Sequence, residues 1–182
     1  HWVVGEAEMP GRLPVAQLAS ILAAPLGPGE SLDVMLEAGK IDALVTTYLP
    51  SSFRRGAPVV RRLFPDPRPV EEEYFRRTGI FPIMHTVVLR EELYRRHPWV
   101  ARSLYRAFEE SKERALRRLY AINALAVTLP WLVVEIEQTR RLMGEEFWPY
   151  GIEPNRRTLE TLVQYLVEQK LAERRLPIEE LF

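Results

Sequence analysis

Cysteine is absent from the 182-residue sequence, which excludes disulfide bonds and metal sites built on thiolates. Basic and acidic residues number 25 each, so the chain lacks the net positive charge that usually marks a nucleic-acid-binding protein. No stretch approaches the roughly 20 consecutive apolar residues that a membrane-spanning helix needs. Because 47% of the residues are hydrophobic, the chain can still bury a core, as a globular protein does. We therefore expect no nucleic-acid partner and no transmembrane segment.

The beginning of the sequence also lacks the features that usually open a gene product. There is no initiator methionine and no secretory signal, and the first five residues, HWVVG, are typical of a short strand. A start of this kind is expected if the sequence was cut inside a folded domain. The missing signal therefore says nothing about where the protein works.

The first half of the chain alternates predicted strands with loops and one short helix. Ser31 suits the N-cap position of a helix, and Gly39 suits the left-handed position that follows a helix end. A strand, a helix and a second strand in this order are typical of a βαβ unit in an α/β fold. The pattern predicts strands at 2–4, 41–47 and 59–64, a helical turn at 16–23, and a helix between Ser31 and Gly39.

The second half of the chain is predicted to be mainly helical. Apolar residues recur there at helical spacing, Pro98 and Pro130 suit the first turns of helices, and Gly144 suits a helix end. The pattern predicts helices at 70–77, 98–122, 131–143 and 156–171. The change from strands to helices places a boundary near residue 79.

A histidine stands near the start of an apolar, β-branched segment that we predict to be a strand from about residue 80 to Arg90. The ends of such strands, where they meet loops, are where open α/β sheets hold ligands. The imidazole of His85 could donate a proton near neutral pH in that position. The alternative is a core histidine that bonds to the backbone.

Six blocks of sequence stand out along the chain: GKIDAL (39–44), LPSSF (49–53), YFRRTGIFPIMH (74–85), HPW (97–99), LPW (129–131) and FWPYG (147–151). Together they resemble the 4,5-dihydroxyphthalate decarboxylases. That family is similar in turn to the type 2 periplasmic solute-binding proteins of nitrate, taurine and thiamine-precursor transport. The block that ends at His85 is the more specific signal, whereas the first block and the His-Pro pair are shared with the transport proteins.

The resemblance implies a periplasmic-binding-protein-like, two-lobed α/β fold with the ligand in a cleft. It also implies that this chain is the C-terminal portion of a full-length member, with a partial first lobe. On this hypothesis residues 1–79 form the α/β portion of the second lobe. Residues 80–182 then form a hinge strand and the mostly helical C-terminal portion of the first lobe.

The implied reaction is the decarboxylation of an aromatic dicarboxylate such as 4,5-dihydroxyphthalate to protocatechuate and carbon dioxide. Such a reaction needs an acid that protonates the ring carbon, and His85 is the candidate. It also needs a cationic clamp for the carboxylates and hydrogen bonds to the substrate oxygens. The candidates for substrate binding are Thr47, Tyr48, Ser51, Ser52, Arg54 and Arg55.

Each of these candidates has a structural alternative. The two serines after Pro50 could be turn or helix-capping residues, the arginine doublet could be a surface pair, and Tyr48 could pack between lobes. No spacing of histidines and carboxylates marks a metal site, and no cofactor is predicted.

A different class of function shares the implied fold. A solute-binding protein of an ABC transporter would hold a small anionic or aromatic ligand without converting it. The enzyme would be cytoplasmic, and the carrier would be periplasmic or extracellular. A helical interaction module at 98–171 is a third and weaker hypothesis. The oligomeric state is not predicted.

Overall fold

The computed structural model of the chain describes residues 2–4 and 23–182. The helical turn predicted at 16–23 lies outside these ranges, apart from Ala23, which belongs to a strand. Two short strands, β1 (Trp2–Val4) and β2 (Ala23–Pro25), pair in parallel with Val3 opposite Ala24. The helices are α1 (Leu32–Glu37), α2 (Ser51–Arg54), α3 (Pro67–Thr78), α4 (Glu91–Arg96), α5 (Trp99–Leu119), α6 (Leu132–Met143) and α7 (Ile152–Glu168), and a 3-10 turn covers Ile178–Glu180.

The described part of the chain is therefore predominantly helical, and the strand predicted at 2–4 is confirmed as β1. The strands predicted at 41–47, 59–64 and from about 80 to Arg90 are wrong, because the chain is irregular at all three places. Their β-branched residues favour extended backbone, but a strand also needs a second strand to pair its N–H and C=O groups. Within the described residues, β1 and β2 are the only strands that pair.

The local signals for helices were sound. Ser31 caps α1, since its Oγ accepts a hydrogen bond from the Val34 amide at 3.3 Å, and Gly39 follows the helix with φ of +68°. The predicted helices at 70–77, 98–122, 131–143 and 156–171 correspond to α3, α5, α6 and α7, with shifts of up to four residues at their ends.

Helix α4 was not predicted, although its charges are arranged as a short helix requires. Glu91 and Glu92 lie in its first turn, and Arg95 and Arg96 lie in its last turn. Each acid pairs with the arginine four residues later, at 2.5 Å for Glu91 and 2.9 Å for Glu92. This order of charges also complements the helix dipole. None of the helices among the described residues is both long and apolar enough to cross a lipid bilayer.

The chain divides into two compact units. The first unit comprises the described part of His1–Val70 together with Val163–Leu176, and the second comprises Glu71–Leu162 together with Pro177–Phe182. The buried apolar residues of the first unit are Leu32, Ala57 and Val163, and those of the second unit are Ile80, Leu132, Ile136, Leu159 and Ile178. The predicted division into residues 1–79 and 80–182 concerns lobes of a larger fold and stays a prediction.

The end of the chain is fixed to α7 in the second unit. Arg156 donates from Nη1 to Glu179 Oε1 at 2.8 Å and from Nη2 to Glu153 Oε1 at 2.7 Å. A backbone hydrogen bond and the Arg156 guanidinium together hold the pKa of Glu179 below its usual range. Ile178, beside this ion pair, is among the most buried residues of the described chain.

A buried carboxylate joins α1 to α2 in the first unit. Asp33 is 5% exposed, and its two oxygens accept the Ser52 amide at 3.4 and 3.2 Å. The Ser52 hydroxyl donates a further, short hydrogen bond to Asp33 Oδ1. A charged acceptor that is buried with two donors is held strongly, and its loss leaves both donors unsatisfied.

Replacing Asp33 with alanine is therefore expected to lower the free energy of unfolding by about 2 kcal/mol, because the Ser52 amide and hydroxyl lose their acceptor. Urea denaturation followed by circular dichroism measures the change as a lower transition midpoint. The matched control is Asp42→Ala, since the Asp42 residue is exposed. Equal midpoints for the two variants would contradict the structural role given to Asp33.

Candidate functional site

The six predicted binding residues lie on one stretch, which runs from the turn at Thr46 through α2 to Arg55. The Tyr48 amide donates to Thr46 Oγ1 at 3.1 Å, which closes the turn before Pro50. Thr47 and Tyr48 are exposed, and the Tyr48 residue retains 74% of its accessible surface. Tyr48 therefore does not pack within the first unit, which leaves its phenol open to a ligand.

The start of α2 adds a hydroxyl and a guanidinium to this turn. Arg54 donates from Nη2 to Ser51 Oγ at 3.2 Å, so these two side chains are neighbours on the surface of the first unit. Arg54 is exposed, and Ser51 is partly exposed. A guanidinium beside a hydroxyl can hold a carboxylate, because both groups can donate to its oxygens. We call Thr47, Tyr48, Ser51 and Arg54 the hydroxyl–arginine turn.

The other two candidates for substrate binding, Ser52 and Arg55, already have partners within the protein. Ser52 is completely buried, and its hydroxyl and amide are committed to Asp33. Arg55 forms an ion pair with Glu37 near the end of α1. Ser52 does not cap α2, whose N-cap is Pro50. Its predicted role in substrate binding stays a prediction, which its burial and its bonds to Asp33 do not favour. Arg55 is exposed but already has an acidic partner within the protein.

His85 lies in the extended segment between α3 and α4, in the second unit. The residue is exposed, so it is not a core histidine within the second unit. Residues 83–88 are all exposed. An exposed imidazole can exchange protons with a bound molecule or with water, as a general acid must.

The direction in which this segment leaves α3 is fixed by Thr78 and its neighbours. Thr78 Oγ1 donates to the Tyr74 carbonyl at 2.7 Å and accepts the Ile80 amide at 3.1 Å. Gly79, between them, has φ of +64°, a conformation that a side chain would strain. Ile80 is buried, and the ring of Phe81 lies 5.9 Å from the ring of Trp148. The segment is therefore anchored four residues before His85.

Phe81 and Trp148 belong to two of the sequence blocks that carried the resemblance, and the fold brings those blocks together. The block at 147–151 is attached to α5 through Lys112. The Lys112 ammonium lies 4.7 Å from the centre of the Tyr150 ring and 2.9 Å from Glu146 Oε1. It also donates to Glu109 Oε1, one turn earlier in α5, at 2.5 Å.

No sequence signal pointed to this lysine cluster, since Lys112 stands in a helix otherwise rich in solvated charges. Burial of the ammonium would by itself lower the pKa of Lys112. The hydrogen bonds to Glu109 and Glu146 and the charges of these carboxylates outweigh burial, so the pKa is raised above its ordinary value of 10.5. Lys112 is therefore protonated, and positively charged, at neutral pH.

Within residues 2–4 and 23–182, no three histidines or carboxylates are grouped closely enough to hold a metal ion. The sequence predicts no metal site and no cofactor, and both statements stay predictions.

The whole chain aligns with a 4,5-dihydroxyphthalate decarboxylase of Comamonas testosteroni, with 38% identity over 187 aligned positions. The predicted resemblance is confirmed. The chain spans 56% of the length of that relative. A scan against family models found no match. The contact between Phe81 and Trp148 accordingly joins two blocks of a chain that is similar to this decarboxylase throughout.

Proposed function

We propose that the protein decarboxylates an aromatic dicarboxylate of the 4,5-dihydroxyphthalate type. The observation that carries the proposal is the 38% identity to a decarboxylase of that substrate along the entire chain. The products would be protocatechuate and carbon dioxide. The chain spans 56% of the relative, so the activity is proposed for the complete protein rather than for residues 1–182 alone.

The hydroxyl–arginine turn is proposed to bind the substrate. At neutral pH the substrate carries two carboxylates, and the exposed Arg54 guanidinium can form a paired hydrogen bond with one of them. The hydroxyls of Thr47, Tyr48 and Ser51 can bond to the remaining oxygens. Ser52 is proposed to support the turn through Asp33 instead of touching the substrate.

His85 is proposed to supply the proton. The imidazolium would protonate the ring carbon that bears the departing carboxylate, assisted by electron donation from the ring hydroxyls. The carbon–carbon bond then breaks, its electron pair returns to the ring, and carbon dioxide leaves. The neutral imidazole regains its proton from water. Because the ring hydroxyls donate electrons in this step, positive charge develops on their oxygens, and side-chain oxygens of the turn can accept hydrogen bonds from these hydroxyls and stabilise it.

The two-lobed, binding-protein-like α/β fold is retained as part of the proposal for the complete protein. The parallel pair of β1 and β2 supports it, because parallel strands are typical of α/β folds. A cytoplasmic location goes with the proposed enzyme, since a solute carrier would have to act outside the inner membrane.

The experiment that tests the function incubates the complete purified protein with 4,5-dihydroxyphthalate. Chromatography should show protocatechuate, and released carbon dioxide should match it in amount. Phthalate, which lacks the two ring hydroxyls, is the matched control and should give no product. Tight binding of 4,5-dihydroxyphthalate without any product would reject the enzyme in favour of the solute-binding protein.

A further inference from the structure

We propose that Lys112 is a positioning residue, which holds the block at 147–151 against α5 and thereby fixes the segment that carries His85. The inference rests on the proposed function for its effect on turnover. Its structural part, the anchoring of Trp148 and Phe81, stands without it.

Lys112 differs from an ordinary lysine on a helix surface in its burial. Its side chain retains 6% of its accessible surface, whereas that of Lys40 retains 61%. Burying an ammonium group is costly unless charged or polar partners replace the lost water. Lys112 is buried on an otherwise largely exposed helix, so its partners must compensate for that cost.

The partners of Lys112 come from two parts of the second unit. Glu109 lies on α5 itself and steadies the ammonium from the same helix. Glu146 and the face of the Tyr150 ring come from the segment between α6 and α7. The ammonium therefore joins that segment to α5 by an ion pair and a cation–π contact at once.

A second contact between the same parts constrains the segment further. Gly151 has φ of +90°, and a Cβ atom at this position would lie 3.2 Å from the Tyr105 hydroxyl. The backbone of the segment thus passes close to α5, one residue after Tyr150. Lys112 and Tyr105 together define where residues 146–151 lie on that helix.

The consequence for His85 passes through one aromatic contact. Trp148 lies between Glu146 and Tyr150, and its ring is tilted at 59° to the ring of Phe81. Phe81 and the buried Ile80 are the anchors of the His85 segment on its N-terminal side. If Lys112 no longer holds the block, Trp148 can shift, and Phe81 loses a fixed surface to pack on.

The test uses the complete protein labelled with 5-fluorotryptophan, in which the fluorine resonance of Trp148 is assigned by the Trp148→Phe variant. Lys112→Met should shift or broaden that resonance and lower kcat by about tenfold or more, with a change in KM below about threefold. Lys40→Met, at an exposed lysine, is the matched control and should leave both values as in the parent protein.

A pair of variants at Tyr150 keeps the test decisive if Lys112→Met does not fold. Tyr150→Phe keeps the aromatic face and should preserve the resonance and kcat, whereas Tyr150→Leu removes the face and should reproduce the Lys112→Met effect. Equal behaviour of the Phe and Leu variants would overturn the inference. So would a loss of turnover while the Trp148 resonance stays at its parental position.

Failure of the proposed function gives a different result. If the parent protein produces no protocatechuate, the enzyme hypothesis is rejected. The fluorine resonances of the Lys112 and Tyr150 variants then still decide whether Lys112 holds Trp148 in place.

Discussion

Replacing His85 with alanine is expected to lower kcat for 4,5-dihydroxyphthalate about 100-fold or more, with little change in KM. A positioned general acid contributes about 10²- to 10⁴-fold to a rate, and alanine has no proton to give. The exposed imidazole has no place in the buried core, so its removal should leave the fold intact. Steady-state assays of protocatechuate formation, with circular dichroism as a check on folding, measure the effect.

The control for this variant is His97→Ala. His97 is also exposed, precedes α5, and makes an edge contact with the Trp99 ring. It has no part in the proposed site, so its loss should leave kcat within about twofold of the parent value. Unchanged turnover in His85→Ala would exclude His85 as the proton donor. Equal losses in both variants would point to a general effect of histidine removal.

The second large effect is expected at Arg54. Arg54→Ala should raise KM about 10- to 100-fold, because a hydrogen-bonded pair between a guanidinium and a carboxylate contributes about 1.5–3 kcal/mol. Arg54→Lys should recover part of the loss, since lysine keeps the charge but not the paired donors. Binding of 4,5-dihydroxyphthalate to the inactive His85→Ala background, measured by calorimetry, would report the same change as a weaker affinity.

Two neighbouring arginines make the Arg54 result interpretable. Arg61→Ala is the neutral control, because Arg61 is an exposed residue outside the proposed site. Arg55→Ala decides between the members of the doublet. Its ion pair with Glu37 predicts a smaller rise in KM than at Arg54. A larger rise at Arg55 than at Arg54 would reverse the assignment of the carboxylate clamp.

The parts of the fold that the sequence predicted well are those that depend on nearby residues. The cap at Ser31, the turn at Gly39 and the helix end at Gly144 each require one residue type at one position. The long helices α5, α6 and α7 follow from apolar spacing, which repeats along the same stretch of chain. Such signals are complete within about a dozen residues, so they can be recognised without the fold.

The strands could not be predicted in the same way, because a strand needs a partner that may lie far along the chain. The segment at 41–47 and the segment around His85 carry the β-branched residues of strands, yet neither forms a ladder among the described residues. Val45 and Val88 in these segments are more than 80% exposed. Composition therefore indicated residues that suit strands, whereas strand formation depends on pairing with other parts of a chain.

The same distinction between local signals and distant partners applies to the candidate site. The sequence drew attention to the hydroxyls and arginines after Thr46, but it could not show which of two adjacent serines faces inward. Ser52 is buried and bonds to Asp33, which lies 19 residues earlier in the chain. Lys112 was likewise missed, since its partners Glu146 and Tyr150 come from a distant segment.

The hydrogen bonds of Thr78 have a practical consequence for altering the substrate preference of the proposed enzyme. The Thr78 hydroxyl donates to a carbonyl in the last turn of α3 and accepts a hydrogen bond from the Ile80 amide. The direction in which the chain leaves α3 is therefore fixed before it reaches the exposed residues 83–88. The five positions other than His85 can be randomised in a selection library, while Thr78, Gly79 and Phe81 are kept constant. The randomised stretch would thus be short and exposed, and it would follow residues whose hydrogen bonds and aromatic contact hold its start in place.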